Sequence, residues 1–241
     1  MTLSRRLFLW SPALLFASPA HARSLKAGPV QFEVIRRGRA KRHYLHIHGN
    51  EDTAREVLRK HMENHEGTAF LIRNRQRNIA IQGGELDPNR MFSEEGTRRN
   101  LKMLNSTWTA EQHNKALALL SKHREKIVRN LTPPPGGLLV TLHNNGRGYS
   151  VKSEVPISDE VALNDEANPH EFFLATQPED FRILAKSPYN AVLQNRAPQS
   201  DDGSFSRLAA ARGMRYVNLE AALGQFARQK EMLDWLERNL P

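Results

Sequence analysis

Short runs rich in β-branched and aromatic residues alternate along the chain with longer stretches in which apolar residues recur every three or four positions. VQFEVI (30–35) and HYLHIH (43–48) predict two strands around a basic turn at Gly38. Alternation in the second strand would put Tyr44, His46 and His48 on one face. TAREVLRKHMENH (53–65) predicts a helix with Ala54, Val57, Leu58 and His61 on one stripe, and Thr53 and Glu56 have the spacing of a capping box. TAFLIR (68–73) and NIAIQ (78–82) predict further strands, followed by a Gly-Gly turn and the loop ELDPNRMFS (85–93).

A long amphipathic helix is predicted over 110–130, burying Ala116, Leu117, Leu120, Ile127 and Leu131 and stopped by TPPPGG (132–137). GLLVTLH (137–143) is apolar until its end, as a central strand covered on both faces should be. Residues 144–188 show the least regular pattern and read as pocket-shaping loops. NAVLQ (190–194) and MRYVNLEA (214–221) predict strands, with helices over 204–213 and 223–240. Phe172, Phe173 and Trp235 read as core; His61, His65, His113, His123 and His170 read as surface. Strands alternating with helices predict an α/β fold: a mixed, largely parallel twisted sheet with helices on both faces.

The first 22 residues stand apart. MTLSRRLFLWSPALLFASPAHA has a basic start at Arg5 and Arg6, an apolar stretch from Leu7 to Ala17 too short to span a bilayer, and an AHA ending that fits an A-x-A cleavage site. SRRLFL resembles the twin-arginine export signal. The expectation is a leader over 1–22 and one domain over 23–241, periplasmic or secreted, with no membrane anchor once the leader is removed.

Composition narrows the chemistry. The 241 residues include no cysteine, so disulfides and thiolate ligands are excluded and any metal must be held by nitrogen and oxygen. The formal net charge is +9, but the basic runs RRGRAKRH (36–43), RNRQR (73–77) and KHREKIVR (122–129) are scattered. They read as a solvated surface with weak affinity for anions, not as a nucleic-acid interface.

Ligands of open α/β sheets bind beyond the carboxyl ends of the strands. Three predicted strands end in residues able to do chemistry: His48 with Glu51, His143, and Glu220. Two neutral imidazoles and one carboxylate leave a tetrahedral zinc ion one position for water, whose pKa the metal would lower to ~7. Glu220, not needed as a ligand, is the candidate to take a proton from that water and return it to the leaving nitrogen.

HGNE (48–51), DPNRMF (87–92), LHNN (142–145) and YVNLEA (216–221) together resemble, in order and approximate spacing, four landmarks of the carboxypeptidase A-like zinc hydrolases. The wording is most similar to the aspartoacylase and succinylglutamate desuccinylase branch, and the resemblance covers residues 43–221. It implies a phosphorylase/hydrolase-like fold with one zinc ion held by His48, Glu51 and His143. It further implies that Asp87 orients His48, that Asn89 and Arg90 hold a substrate carboxylate, and that Glu220 is general base and then general acid.

The family's carbonyl-polarising arginine has no motif match, so Arg73, Arg75, Arg77 and Arg147 are all candidates, with Arg147 counted among the substrate-binding residues; Tyr149 and Tyr189 compete for the family's tyrosine. The implied activity is hydrolysis of an amide or peptide bond beside a free carboxylate, with peptides, including cell-wall-derived ones, as substrates. The alternatives are an N-acyl amino acid deacylase and a noncatalytic binder of peptidoglycan or another polyanion on the same fold.

Overall fold

The computed structural model describes residues 21–146, 148–196 and 201–241. The leader expected over 1–22 therefore lies almost wholly outside the described residues. In chain order the strands and helices are β1 (His21–Ala27), β2 (Val30–Arg37), β3 (Arg42–His46), α1 (Asp52–His61), β4 (Gly67–Ile72), β5 (Ile79–Ile81), β6 (Gly84–Leu86), α2 (Glu94–Leu104), α3 (Ala110–Leu131), β7 (Leu138–Asn145), α4 (Val151–Glu154), β8 (Glu160–Ala162), β9 (Phe172–Ala175), α5 (Pro178–Leu184), β10 (Asn190–Leu193), α6 (Phe205–Ala211), β11 (Tyr216–Ala222) and α7 (Phe226–Asn239). Among the described residues no helix is long and apolar enough to cross a membrane.

Nine of these strands form one mixed sheet in the order β1-β2-β4-β3-β7-β11-β9-β10-β8, while β5 and β6 make a separate hairpin. The four central strands β4, β3, β7 and β11 run parallel, and β2 and β9 join them antiparallel on either side. Every position of β7 is buried, as its apolar run predicts for a strand with helices on both faces. On one face Val140, Leu142, Val217 and Leu219 pack with Val57 and Leu58 of α1, Phe181 of α5 and Met232, Leu233 and Leu236 of α7. On the other, Phe32, Leu45, Phe70, Leu139 and Tyr216 pack with Leu101 of α2, the predicted stripe of α3, and Phe205 and Ala209 of α6. The fold is α/β with helices on both sides, as the alternation predicts.

Several local expectations are corrected. The second predicted strand stops at His46, two residues short of His48, which lies in the turn before α1. Gly49 allows that turn because a Cβ there would lie 2.3 Å from the Asn74 carbonyl oxygen and 2.5 Å from that of Gln76.

No capping box forms at Thr53 and Glu56. The residue preceding α1 is Glu51, whose side chain makes no cap, and Thr53 Oγ1 instead accepts from Gly224 N at 2.9 Å. The cap comes from the strand beneath the helix, where Asn144 Oδ1 of β7 accepts from Ala54 N at 2.8 Å. A capping box does form at the start of α3, between Thr109 and Gln112.

Residues 144–188, read as loops, hold α4, β8, β9 and α5. The loop expected over 85–93 is partly ordered as β6 and a 3-10 turn over Pro88–Arg90. His61 is buried rather than exposed, its Nε2 3.1 Å from the Tyr44 hydroxyl.

Candidate metal centre

Parallel pairing of β7 with β11 sets His143 directly beside Glu220 at the carboxyl end of the sheet. The turn after β3 brings His48 and Glu51 to the same rim. Nδ1 of His48 lies 2.7 Å from Glu51 Oε1, Nδ1 of His143 lies 3.1 Å from Glu51 Oε2, and the two Nδ1 atoms are 3.1 Å apart. The three sequence-predicted ligands are thus buried around one point, their ligand atoms all within 4.8 Å of one another.

That donor set fits a single divalent cation. The separation of the two nitrogens is close to the roughly 3.3 Å edge of a tetrahedron with bonds of ~2.0–2.1 Å, and nitrogen with carboxylate oxygen is the ligand chemistry zinc accepts. The arrangement also has the supporting contacts a metal site requires. His48 Nε2 donates to Asp87 Oδ1 at 2.9 Å, which directs its other nitrogen inward. Asp87 Oδ1 also accepts from Asn89 N, and Arg77 bridges Asp87 Oδ2 at 3.1 Å and Glu51 Oε1 at 3.4 Å. His46, beneath the turn, donates from Nε2 to the Glu51 carbonyl at 2.9 Å.

Electrostatics follow from burial and neighbours. Burial opposes charge on Glu51, but the His143 and His48 imidazoles outweigh it and hold the carboxyl well below the usual range. Burial likewise disfavours charge on His48, yet the Glu51 and Asp87 carboxylates raise it to about 9. A cation entering here must displace the proton that this arrangement favours, so metal affinity and pH are linked. His46 is pushed down to about 3, chiefly by desolvation, and stays neutral. Glu220 is raised by burial and by Glu51, against the pull of His143. It accepts from Asn145 Nδ2 and Asn218 Nδ2, both at 3.1 Å.

The centre opens into a cleft of about 440 Å³ lined by Arg77, Asn89, Arg90, Tyr149, Arg207 and Glu220 among others. Asn89 Oδ1 is engaged, accepting from Phe205 N at 3.1 Å, so Nδ2 is the part of its amide left for a ligand among the described residues. The Arg90 guanidinium is part exposed and 3.3 Å from Asp202. Of the competing arginines, Arg77 reaches the centre; Arg75 faces Asp52, Arg73 does not line the cleft, and Arg147 lies outside the described residues. Tyr149 lines the cleft and donates to Glu154, whereas Tyr189 packs in the core of the opposite face.

Three supporting residues were given no role by sequence reasoning, although Asn145 and Asn218 lie within the LHNN and YVNLEA motifs. Asn145 and Asn218 flank the Glu220 carboxylate, and Gln229 of α7 donates from Nε2 to the His143 carbonyl while its Oε1 accepts from Asn144 Nδ2, both at 2.9 Å. Gln229 could have been noticed as a polar member of the buried stripe Gln229, Met232, Leu233 and Leu236.

No family profile matches the chain, and no curated protein matches it. Among solved structures it is similar to the ectoine utilization protein EutE (DoeB) from Ruegeria pomeroyi, with 15% identity, a TM-score of 0.44, and coverage of 86% of this chain but 59% of that one, so it spans under two thirds of that protein's length. It is also similar to a proposed metallopeptidase from Shewanella denitrificans OS217 (10% identity, TM-score 0.43, covering 91% and 82% of the two chains) and to another from Shewanella amazonensis SB2B (13%, 0.42, 91% and 87%).

Proposed function

We propose that this protein is an exported zinc-dependent hydrolase that cleaves an amide or peptide bond next to a free carboxylate. The observation that carries the reading is the convergence of His48, Glu51 and His143 on one buried point, beside Glu220 and at the floor of a cleft that also holds Arg90. Zinc at such a site supplies an activated water and polarises a carbonyl oxygen.

The chain's own groups do the rest. Arg90, on a tight turn fixed by Asp87, offers a planar fork to the substrate carboxylate. Arg77, held between Asp87 and Glu51 but nearly half exposed, can turn toward a carbonyl oxygen in the cleft. Glu220, oriented by two asparagine amides, takes a proton and later hands it to the leaving nitrogen. Export to the periplasm or beyond rests on the leader-like first 22 residues and makes peptides, cell-wall-derived ones included, the first substrates to try.

The test pairs metal analysis of the purified protein with hydrolysis profiling. About one zinc per chain in the parent and little in His143→Ala, with release of C-terminal residues from peptides, supports the proposal. Metal content that is low in the parent or unchanged in the mutant sinks it. Release of acyl groups from N-acyl amino acids alone replaces the peptidase assignment with a deacylase.

A further inference from the structure

At the amino ends of the same parallel strands, at the opposite end of the sheet from the metal centre, lies a groove of about 880 Å³. One wall is formed by Arg23 of β1 with Arg36 and Arg39 at the end of β2, the other by Arg129 in the last turn of α3 and Arg212 after α6. Between them lies an apolar floor that includes Leu25, Val34, Phe70 and Val128.

A solvated basic surface normally interleaves its cations with acids, and this protein does so elsewhere: Arg98 pairs with Glu94, Arg99 with Glu95 and Lys115 with Glu111. Among the described residues, only Arg212 of the groove arginines has such a partner, Glu125 at 2.9 Å, which lines the same groove. Arg23, Arg36, Arg39 and Arg129 form no ion pair among the described residues, and the residues outside the description include no Asp or Glu to supply one. Glu66, close by, has its Oε2 on the Arg39 backbone amide at 3.1 Å. Four guanidinium groups without an acid partner, beside the Arg212–Glu125 pair, repel one another and leave strong donors for anions unfilled.

We infer that this groove is a second binding site, for an extended polyanion: a chain carrying phosphate or carboxylate groups at intervals, lying between the two arginine walls with its neutral linking atoms on the apolar floor. A flat lipid surface fits the shape less well, because it would meet only the rims and leave the floor uncovered. The inference is independent of the proposed hydrolase activity.

The test compares two variants with the same change in net charge. Arg36→Ser/Arg39→Ser/Arg129→Ser removes groove cations, and Arg98→Ser/Arg99→Ser/Arg182→Ser removes cations on α2 and α5. Binding of long-chain inorganic polyphosphate, of poly-L-glutamate and of phosphatidylglycerol vesicles is measured at low salt, with urea midpoints verifying that both variants are folded. At about fivefold per arginine, the groove variant should bind about a hundredfold more weakly and with a shallower salt dependence, while the control stays within about threefold of the parent.

Groove-dependent binding of either polymer supports the site and identifies its anion. Equal losses in both variants would show a diffuse charge effect and overturn it. So would an absence of binding by the parent, or binding only to phosphatidylglycerol vesicles.

Discussion

Asn144 links the metal centre to three elements at once. Its backbone N–H donates to Glu51 Oε2 at 3.1 Å, its Oδ1 caps α1 at Ala54 N at 2.8 Å, and its Nδ2 donates to Gln229 Oε1 at 2.9 Å. Asn144→Ala keeps the first contact and deletes the other two. Loss of a helix cap costs about 1 kcal/mol, within a range of roughly 0.5–2. Leaving the acceptor of fully buried Gln229 without its donor adds about 1–3 kcal/mol. The two effects share one side chain and are not strictly additive, so the metal-free protein should lose about 2–4 kcal/mol.

Urea unfolding of the chelator-treated parent and variant measures this directly, as a lower midpoint at unchanged slope. Asn144→Asp separates the two parts: it keeps the acceptor for Ala54 N but sets a carboxylate oxygen against Gln229 Oε1 and near Glu51. Gln229 cannot relieve that clash by turning its amide over, because its Nε2 is committed to the His143 carbonyl. The aspartate variant should therefore be no more stable than the alanine one, despite retaining a preferred cap. A loss under about 1 kcal/mol for Asn144→Ala, or parent-like stability for Asn144→Asp, would refute the argument that this side chain holds α1, β7 and α7 in register.

Asp87→Ala should weaken zinc binding about 10- to 100-fold, because it removes the group that fixes the His48 tautomer; competition with a chromophoric chelator reads this, and unchanged affinity would mean Asp87 has no such role. Glu220→Gln preserves the shape and the acceptor for one asparagine, so it should keep the metal and lower turnover by about 10²-fold or more; a variant that cleaves substrate at the parent rate removes Glu220 from the chemistry. His61 supplies a pH prediction away from the centre. Burial, with His65 next in importance, lowers it to about 3, against about 6.5 when unfolded. The unfolded chain therefore takes up the proton first, so stability is complete above about pH 7 and falls as the pH drops toward the folded value. Between pH 7 and 5 this one group should cost about 2 kcal/mol, seen as a steeper decline in urea-unfolding free energy for the parent than for His61→Gln; parallel declines would contradict it.

How much of this was legible in the sequence depended on the range of the interaction. The strong periodicities were legible: the buried side of α3 and the wholly buried β7 follow from local patterns of 3.6 and of continuous apolar character. The three ligand candidates were legible because topology puts strand ends on one rim, whatever the details of the loops. What failed was decided at long range. The Thr53/Glu56 capping box matched a local rule, but the helix starts at Asp52, which leaves Thr53 inside it, and the amide three residues beyond the true N-cap, Ala54, is capped by Asn144 from a strand 90 residues away.

His61 looked like a surface histidine on a helix, although its place on the apolar stripe with Ala54, Val57 and Leu58 pointed inward, and the Tyr44 hydroxyl meets it there. Arg77 could not be separated from Arg73 and Arg75 by spacing alone. Its selection depends on a loop whose path is fixed by Gly49, where only a missing side chain lets the Asn74 and Gln76 carbonyls approach.

The placement of two carboxylates in one cleft explains how a single pocket could use each differently. Glu51 faces two imidazoles and a backbone amide, so its negative charge is stabilised despite burial and it is suited to hold a cation permanently. Glu220 is equally buried, but its hydrogen-bond partners are two neutral amides and it lies within reach of the Glu51 charge, so its proton is retained more readily. Environments that push two acids in opposite directions are how acid–base sites divide their roles. The difference traces to register: β11 sets Glu220 level with His143, while the turn after β3 carries Glu51 past it to the ligand side. A two-residue slip of β11 against β7 would keep the same residues of both strands facing each side of the sheet, yet it would remove the proposed base from the centre, so the cross-strand partners of Glu220 matter more to the proposed chemistry than its burial does.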